Sequence, residues 1–584
     1  MTVLANKGDL FLDPVVHNVN RHPVLKFAAS ELFKYLKRIN DVCKNSKQLI
    51  RLSFSYSNED KFANDEFTIS VGKKSIAIEG TTPRSVLFGV YALLERLGCV
   101  WPYPGEAEEY IPKLSRIELP LGSFSEKAHI TVRGLGLYGL QSNTVQTGAE
   151  IIDWMGKNRF NLVFTSEDRR DSVWTQSMHW PEVRSQLLPE IVKRGMLLEI
   201  SEHMTHLFMS PSDLAEHPEW TAIVDGKRSD SGGQMCYSNP DAVKLFKKKF
   251  IQFIKKRPEA DIIGIWPLDG GGYCKCNACL NDNAVFNATA EMAKAAALIR
   301  PKLQIEYLAY TAETKKMPCR TDEFPPNMTA LVCDEIDDNA KPWIDLSGNG
   351  KGSYLFEYNM GDNYRWQGNI WIRPDFVKWM TGQIIRLKYH GVISLFIPIS
   401  NWWRACMNYW FFSKFSWQPE ANTASLLKKH CISQYNGAGS EIACVLQQVF
   451  KEIQTDDMLA AYHHDRLRSV MPLKPPRADC YIEFQSALSR ALKTIVKLEE
   501  DTENTEIRTR LMRWVTYLKF LKHYYRIRTG NGKPIAFKDH SDIMIRKQKR
   551  IFSVKPEDVP VNPSFEFLEW RFDKIARWDG GKLF

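Results

Sequence analysis

The stretch Asp261–Cys279, DIIGIWPLDGGGYCKCNAC, decides how the rest of the chain is read. It opens with the apolar run Ile262 to Trp266, bounded by turn residues, which predicts a buried strand. The run leads to a carboxylate, Asp269. Gly270, Gly271 and Gly272 follow, and their lack of a side chain lets backbone approach a ligand closely. Then come Tyr273 and the cysteines Cys274, Cys276 and Cys279. A buried strand that ends in an acid, a glycine turn and an aromatic is the pattern expected at the rim of an enzyme barrel. The simpler alternative is a strand followed by a loop that its cysteines hold together.

Outward from that stretch, residues 128–418 alternate strand and helix. The predicted strands are Val132–Tyr138, Asn161–Thr165, Leu197–Ser201, Ile262–Trp266, Gln304–Tyr310, Thr329–Cys333, Ser353–Tyr358 and Val392–Ile399. Helical periodicity falls between most of them, for example over Pro181–Arg194, Ala242–Lys256 and Pro374–Tyr389. This alternation predicts an α/β fold of the (β/α)8 TIM-barrel type. A doubly wound open sheet is the alternative, but no G-x-G-x-x-G follows the first strand. Before the barrel, residues 1–127 read as a small α/β accessory domain with helices over His22–Ile39 and Thr82–Leu97 and a hairpin over Phe67–Glu79. After it, residues 419–584 read as a helical domain. At roughly 150 residues per domain, a chain of 584 residues suits two to four domains.

In such a barrel, chemistry sits at the C-terminal ends of the strands. The polar residues at the predicted ends include Glu199, Glu202, His203 and His206 after the third strand. Asp269 and Tyr273 follow the fourth, Tyr310 the fifth, and Asp334, Glu335 and Asp337 the sixth. Glu357, Tyr358, Asn359 and Asp362 follow the seventh, and Ser400, Asn401, Trp402 and Trp403 the eighth. Asp269, Glu335 and Glu357 are the expected catalytic carboxyls. Arg133, His203, His206, Tyr273, Tyr310 and Trp402 are the expected substrate-binding residues. Glycoside hydrolysis needs two groups of this kind, one to protonate the leaving oxygen and one to stabilise or attack the oxocarbenium-like centre. The chain also holds 17 Trp, 21 Tyr and 31 Phe, which can serve as sugar platforms as well as core. The spacing His203-x-x-His206 is not that of an H-E-x-x-H metalloprotease helix, so sugar-hydroxyl binding is the preferred reading over metal ligation. No G-x-S-x-G elbow and no P-loop occur.

Cys236 lies on the connection before the fourth strand, and with Cys274, Cys276 and Cys279 it could form one structural zinc site or two disulfides. No cofactor is required by the expected chemistry. The net charge of +10 is spread along the chain with no nucleic-acid motif beside it, so a solvated basic surface is expected and no nucleic-acid partner. No apolar run is long enough to span a membrane. The opening residues MTVLANKGDLFLD lack a signal-peptide pattern. The protein is therefore either cytoplasmic, or periplasmic or secreted with its signal removed.

Several separated motifs occur in order: His217-Pro218-Glu219-Trp220, Asp225-Gly226-Lys227-Arg228, Gln234-Met235-Cys236-Tyr237-Ser238-Asn239-Pro240, and Asp269 with Tyr273 and the C-x-C-x-x-C cysteines. Together with Tyr307-Leu308-Ala309-Tyr310 and Glu357-Tyr358-Asn359, they resemble the family once called domain of unknown function 4838, now largely assigned to glycoside hydrolase family 163. The resemblance spans about residues 170 to 400. Gly89–Cys99 is similar to the accessory domain that precedes the barrel in β-hexosaminidases and α-glucuronidases. This likeness implies an exported endo-β-N-acetylglucosaminidase acting on a glycan or glycoprotein, with Asp269 as its fourth-strand acid. Its mechanism would be substrate-assisted, the acetamide serving as nucleophile. The alternatives are an exo-acting α-glucuronidase-like hydrolase of acidic glycans and a non-catalytic glycan-binding barrel.

Overall fold

The computed structural model describes residues 2–5, 22–40, 51–115, 117–137, 145–167, 180–319, 324–333, 335–357, 360, 372–396, 398–453 and 478–528. The chain divides into two compact units. One comprises Met1–Leu97, Lys113–Glu357 and Gly382–Phe396; the other comprises Gly98–Pro112, Tyr358–Thr381 and Ile397–Phe584.

The first unit begins with a small sheet layered on helices. Strands β1 (Thr2–Ala5) and β5 (Ile117–Leu119) form a separate antiparallel ladder. Strands β2 (Arg51–Tyr56), β3 (Glu66–Val71), β4 (Ser75–Gly80) and β6 (Gly122–Lys127) form a sheet in the order β2-β4-β3-β6. The alternating burial of β3 gives the sheet one apolar face, and Phe67, Ile69 and Val71 lie on it. The helix Pro83–Arg96 starts at Thr82, whose hydroxyl accepts the Ser85 amide, and proline fills its first turn. Gly98 follows it with φ 100°, a conformation that favours glycine at the end of a helix.

The same unit contains the barrel. Strands β7 (Val132–Leu137), β8 (Leu162–Thr165), β9 (Leu197–Glu202), β12 (Ile262–Ile265), β13 (Gln304–Ala309), β14 (Met328–Cys333), β15 (Ser353–Glu357) and β16 (Gly391–Phe396) close in that order, each parallel to its neighbours. A two-stranded hairpin, β10 (Ile223–Val224) and β11 (Lys227–Arg228), is inserted between β9 and β12. The expected (β/α)8 barrel is thus present. Its strands are buried on both faces, which is why they read as apolar runs instead of alternating ones. Gly264 aligns with Ser201 and Glu306 on its two neighbours. A Cβ there would lie 2.4 Å from Ser201 Oγ and 2.6 Å from Trp266 Nε1, so the register tolerates only glycine.

One strand ends earlier than expected. β16 stops at Phe396, and Pro398 opens the helix Pro398–Phe415, where its missing amide and fixed φ suit the first turn. Ser400 to Trp403 therefore belong to a helix and not to a strand end.

The sheet and barrel are joined at the N-terminal end of the strands by one buried carboxylate, Asp65. It accepts Arg84 Nε at 3.0 Å, Arg133 Nη2 at 2.7 Å and Asn161 Nδ2 at 2.9 Å. Burial alone would push Asp65 up, but the charges of Arg84 and Arg133 outweigh it and hold the carboxyl below its ordinary value.

The second unit is helical. Thr423–Tyr435, Gly439–Ile453, Ala478–Asp501 and Thr505–Arg528 pack in sequence. Trp514 Nε1 donates to Tyr435 Oη at 2.7 Å, and Arg513 pairs with Glu108 at 2.6 Å. His430 is wholly buried between the rings of Tyr103 and Trp410, and burial holds it neutral, down to about 3.

Candidate active site

At the C-terminal mouth of the barrel, β9 and β12 supply the best-defined groups. Inward and outward residues alternate along each strand. Glu199, Ser201 and then His203 face inward on β9, so the intervening Glu202 faces the outer layer. Glu202 Oε1 accepts the His203 amide at 3.0 Å. The His203 ring meets Trp266 edge to face at 5.4 Å and lies 6.3 Å from the ring of Tyr310. His203 Nδ1 is 2.5 Å from the Pro267 carbonyl. A carbonyl can only accept, so Nδ1 carries the proton and Nε2 is turned toward Asp269, 3.7 Å away. The Asp269 side chain is 58% exposed and accepts the Gly270 amide at 2.8 Å. Gly270 and Gly272 have φ of 93° and 81°, conformations that favour glycine and that bend the loop back past Asp269.

Trp266 is the floor of this mouth. It stacks on Phe164 at 5.7 Å and touches Phe356 at 5.4 Å. Its Nε1 donates to Glu306 Oε1 at 3.0 Å. Beneath it, Glu199 and Glu306 share the barrel interior with no solvent exposure. Burial pushes Glu199 up to about 8. Burial first, and then the charge of Glu199, push Glu306 well above its ordinary value. Two carboxyls buried this close favour their protonated forms over two like charges.

The other expected site residues are distributed as follows. Tyr310 is half-buried just past β13. Tyr273 is buried, and it lines a cavity of about 250 Å³ with Tyr237, Asn283, Glu313 and Lys316. His206 is half-buried on the short turn Thr205–Leu207. Glu335 follows β14 in an ion pair with Lys315 at 2.7 Å, and Lys315 also donates to the Cys333 carbonyl. Glu357 ends β15. Its neighbour Phe356 packs inward against Trp266, so Glu357 faces outward, where it accepts Ser394 Oγ at 2.8 Å. Arg133 is a correction. It sits at the N-terminal end of β7, 1% exposed, bonded to Asp65 and to the carbonyls of Ile130, Thr131 and Arg159. Its donors are consumed at the end of the barrel opposite Asp269, so it cannot serve a substrate there. Asp334, Tyr358, Asn359, Asp362 and the side chain of Trp402 lie outside the described residues.

The structure thus brings Asp269, His203 and Tyr310 together around Trp266, and does not bring Arg133 or the Glu357 carboxylate there. Reading the sequence for function missed the Glu199–Glu306 pair. The available signal was an isolated acid inside each of two apolar strands, Leu197-Leu198-Glu199-Ile200 and Gln304-Ile305-Glu306-Tyr307. The four cysteines Cys236, Cys274, Cys276 and Cys279 do converge, with all four Sγ atoms within 4.8 Å of one another.

The fold and site define a (β/α)8 barrel protein with an acid, an imidazole and aromatic rings at its C-terminal mouth. Over residues 103–447 the chain matches the family described as domain of unknown function (DUF4838), and it belongs to that family. No curated protein matches the sequence. Among solved structures, the chain is similar to a family GH115 4-O-methyl-α-glucuronidase with specificity for decorated arabinogalactans. The two share 11% identity and a TM-score of 0.62, over 97% of this chain and 78% of that one. It is also similar to a GH138 enzyme targeting pectin rhamnogalacturonan II, at 12% identity and TM-score 0.55 over 90% of each chain. A GH89 enzyme from Clostridium perfringens, solved with GlcNAc-α-1,4-galactose, matches at 12% identity and TM-score 0.55 over 96% of this chain and 72% of that one. At these identities the likeness is one of fold. Among the described residues, no helix is long and apolar enough to cross a membrane.

Proposed function

We propose that the protein is a glycoside hydrolase that cleaves a β-N-acetylglucosaminide within a complex glycan or glycoprotein, as family 163 enzymes do. The observation that carries this reading is the grouping of Asp269, His203, Tyr310 and Trp266 at the mouth of a closed parallel barrel. Sugars bind such mouths by stacking apolar faces on rings while a carboxyl meets the scissile oxygen. Asp269 is the expected acid, with the His203 ring beside it at 3.7 Å. The substrate acetamide is the expected nucleophile, oriented by a second carboxylate, for which Glu335 is the candidate because Lys315 compensates its charge. Tyr273 and His206 are the expected sugar-hydroxyl partners. An exported location, periplasmic or secreted, suits a glycoprotein substrate.

A second reading, an exo-acting hydrolase of acidic glycans, is favoured by the net charge of +10 and by the fold likeness to the GH115 glucuronidase. Mass spectrometry of products from N-glycans, glycosaminoglycans and glucuronoxylans tests both. Release of an intact N-glycan supports the first reading, and release of a terminal uronic acid supports the second. Glycan binding with no product from any substrate would leave a binding protein.

A further inference from the structure

The motif C-x-C-x-x-C after β12 is brought onto Cys236 by two connections that leave the barrel on adjacent strands. The first connection runs from β9 through the hairpin β10–β11. Asp225 and Gly226 turn that hairpin with φ of 51° and 76°, the two positive values that a tight hairpin turn requires. Cys236 follows it and precedes the helix Pro240–Lys256. The second connection carries Asp269, Tyr273 and the remaining three cysteines. Gln234 bonds both backbone groups of Leu268, donating at 2.7 Å and accepting at 3.3 Å, and Lys275 N donates to Ile223 O at 2.8 Å. The sulfurs meet where the two connections cross. Cys236 and Cys274 are buried against Ala222, with Ile223 and Val224 packed around them.

The distances suit a tetrahedral metal site. Cys236 Sγ lies 3.9 Å from Cys276 Sγ and 4.0 Å from Cys279 Sγ. A disulfide needs about 2.05 Å. Four thiolates around zinc, each about 2.3 Å from the ion, stand about 3.8 Å apart in a tetrahedron. Donors already face the sulfurs: the Ile223 amide is 3.3 Å from Cys274 Sγ. Ser238 Oγ is 3.2 Å from Cys236 and Cys279 Sγ and 3.3 Å from Cys276 Sγ, and its one hydroxyl proton can be donated to one of these sulfurs. Such outer donors offset the charge that four thiolates accumulate on one ion.

We propose that Cys236, Cys274, Cys276 and Cys279 bind one zinc ion, a closed structural site that clamps the β9 and β12 connections together. With four protein thiolates there is no open coordination position, so the ion takes no part in bond cleavage. It holds the loop on which Asp269 and Tyr273 stand. The proposal is independent of the glycosidase reading, since its test does not read activity.

Full-length protein, produced in a reducing cytosol and purified without a metal-affinity step, is analysed by elemental mass spectrometry. About one zinc per chain is expected. Titrating the wild-type protein with a mercurial thiol reagent should release that zinc to a colorimetric dye in step with thiol modification. Cys274→Ser and Cys236→Ser should lose the zinc, whereas Cys319→Ser, exposed and outside the cluster, should keep it. The titration of the wild type stands even if the cluster variants fail to fold. Protein with no zinc, or with iron in its place, overturns the proposal. So do two disulfides found among these four cysteines by non-reducing peptide mapping.

Discussion

The Glu199–Glu306 pair makes a quantitative prediction about pH. Both carboxyls are raised in the folded protein, Glu199 from an ordinary 4.5 to about 8. The folded state therefore keeps protons that the unfolded chain has already released, and stability falls with rising pH across that window. The contribution is full below about pH 4.5 and is lost as pH climbs through about 8. At about 1.36 kcal/mol per pH unit, Glu199 alone accounts for a loss of about 5 kcal/mol. Glu199→Gln removes the titration and keeps the volume. Glu306→Gln does the same while retaining an acceptor for Trp266 Nε1. Denaturant unfolding at intervals from pH 5 to pH 9 should show the wild type losing stability relative to Glu199→Gln, with the gap opening up to about pH 8 and levelling beyond it. If wild type and variants run parallel across the range, the two carboxyls do not hold the protons ascribed to them, and the account of the barrel floor fails.

Asp269→Asn should lower kcat on the cleaved glycan by about 10²–10⁴-fold with a smaller change in binding, and near-full kcat would remove Asp269 from the chemistry. Glu357→Gln should leave kcat close to wild type, since the carboxylate faces outward onto Ser394; steady-state kinetics with a large fall in kcat would contradict that orientation. Arg133→Ala should cost about 3–5 kcal/mol by leaving Asp65 buried beside a missing partner. The KM of the folded fraction should not move, which thermal melts and kinetics on the same preparation would check.

The barrel was legible because its parallel strands, buried on both faces, announce themselves as apolar runs between helices. What lay beyond the strand ends was less so. Pro398 looked compatible with a strand, because the run Val392–Ile399 is apolar apart from Ser394; only the helix that it starts shows its role. Glu357 and Glu202 are strand-end acids like Asp269 in sequence, and they differ only in facing the outer layer. That depends on which residue of the strand meets the interior, here Phe356 and His203. Arg133 could have been set aside from position alone, because the second residue of a barrel strand lies at the end away from the chemistry. The cysteines were readable as a cluster from spacing, since C-x-C-x-x-C cannot scatter its sulfurs far. The Glu199–Glu306 contact was not, because it joins residues 107 positions apart and needs the register of β9, β12 and β13.

The two ends of the barrel treat charge in opposite ways, and that contrast is the physical basis for locating the site. At the N-terminal end, Asp65 is fully buried and is met by two guanidiniums and an amide. A carboxylate so completely bonded has nothing left to offer a ligand, and its burial is tolerable only because its partners are fixed. At the C-terminal end, among the described residues, Asp269 has one backbone hydrogen bond and a histidine beyond hydrogen-bond distance, with most of its side chain exposed. An arriving hydroxyl or glycosidic oxygen could therefore bond it without first breaking a structural contact. The glycine turn that frees this carboxylate also leaves its loop with little intrinsic order. That is why Gln234, Lys275 and the four cysteines fastening the same loop to its neighbour matter to whatever chemistry Asp269 performs.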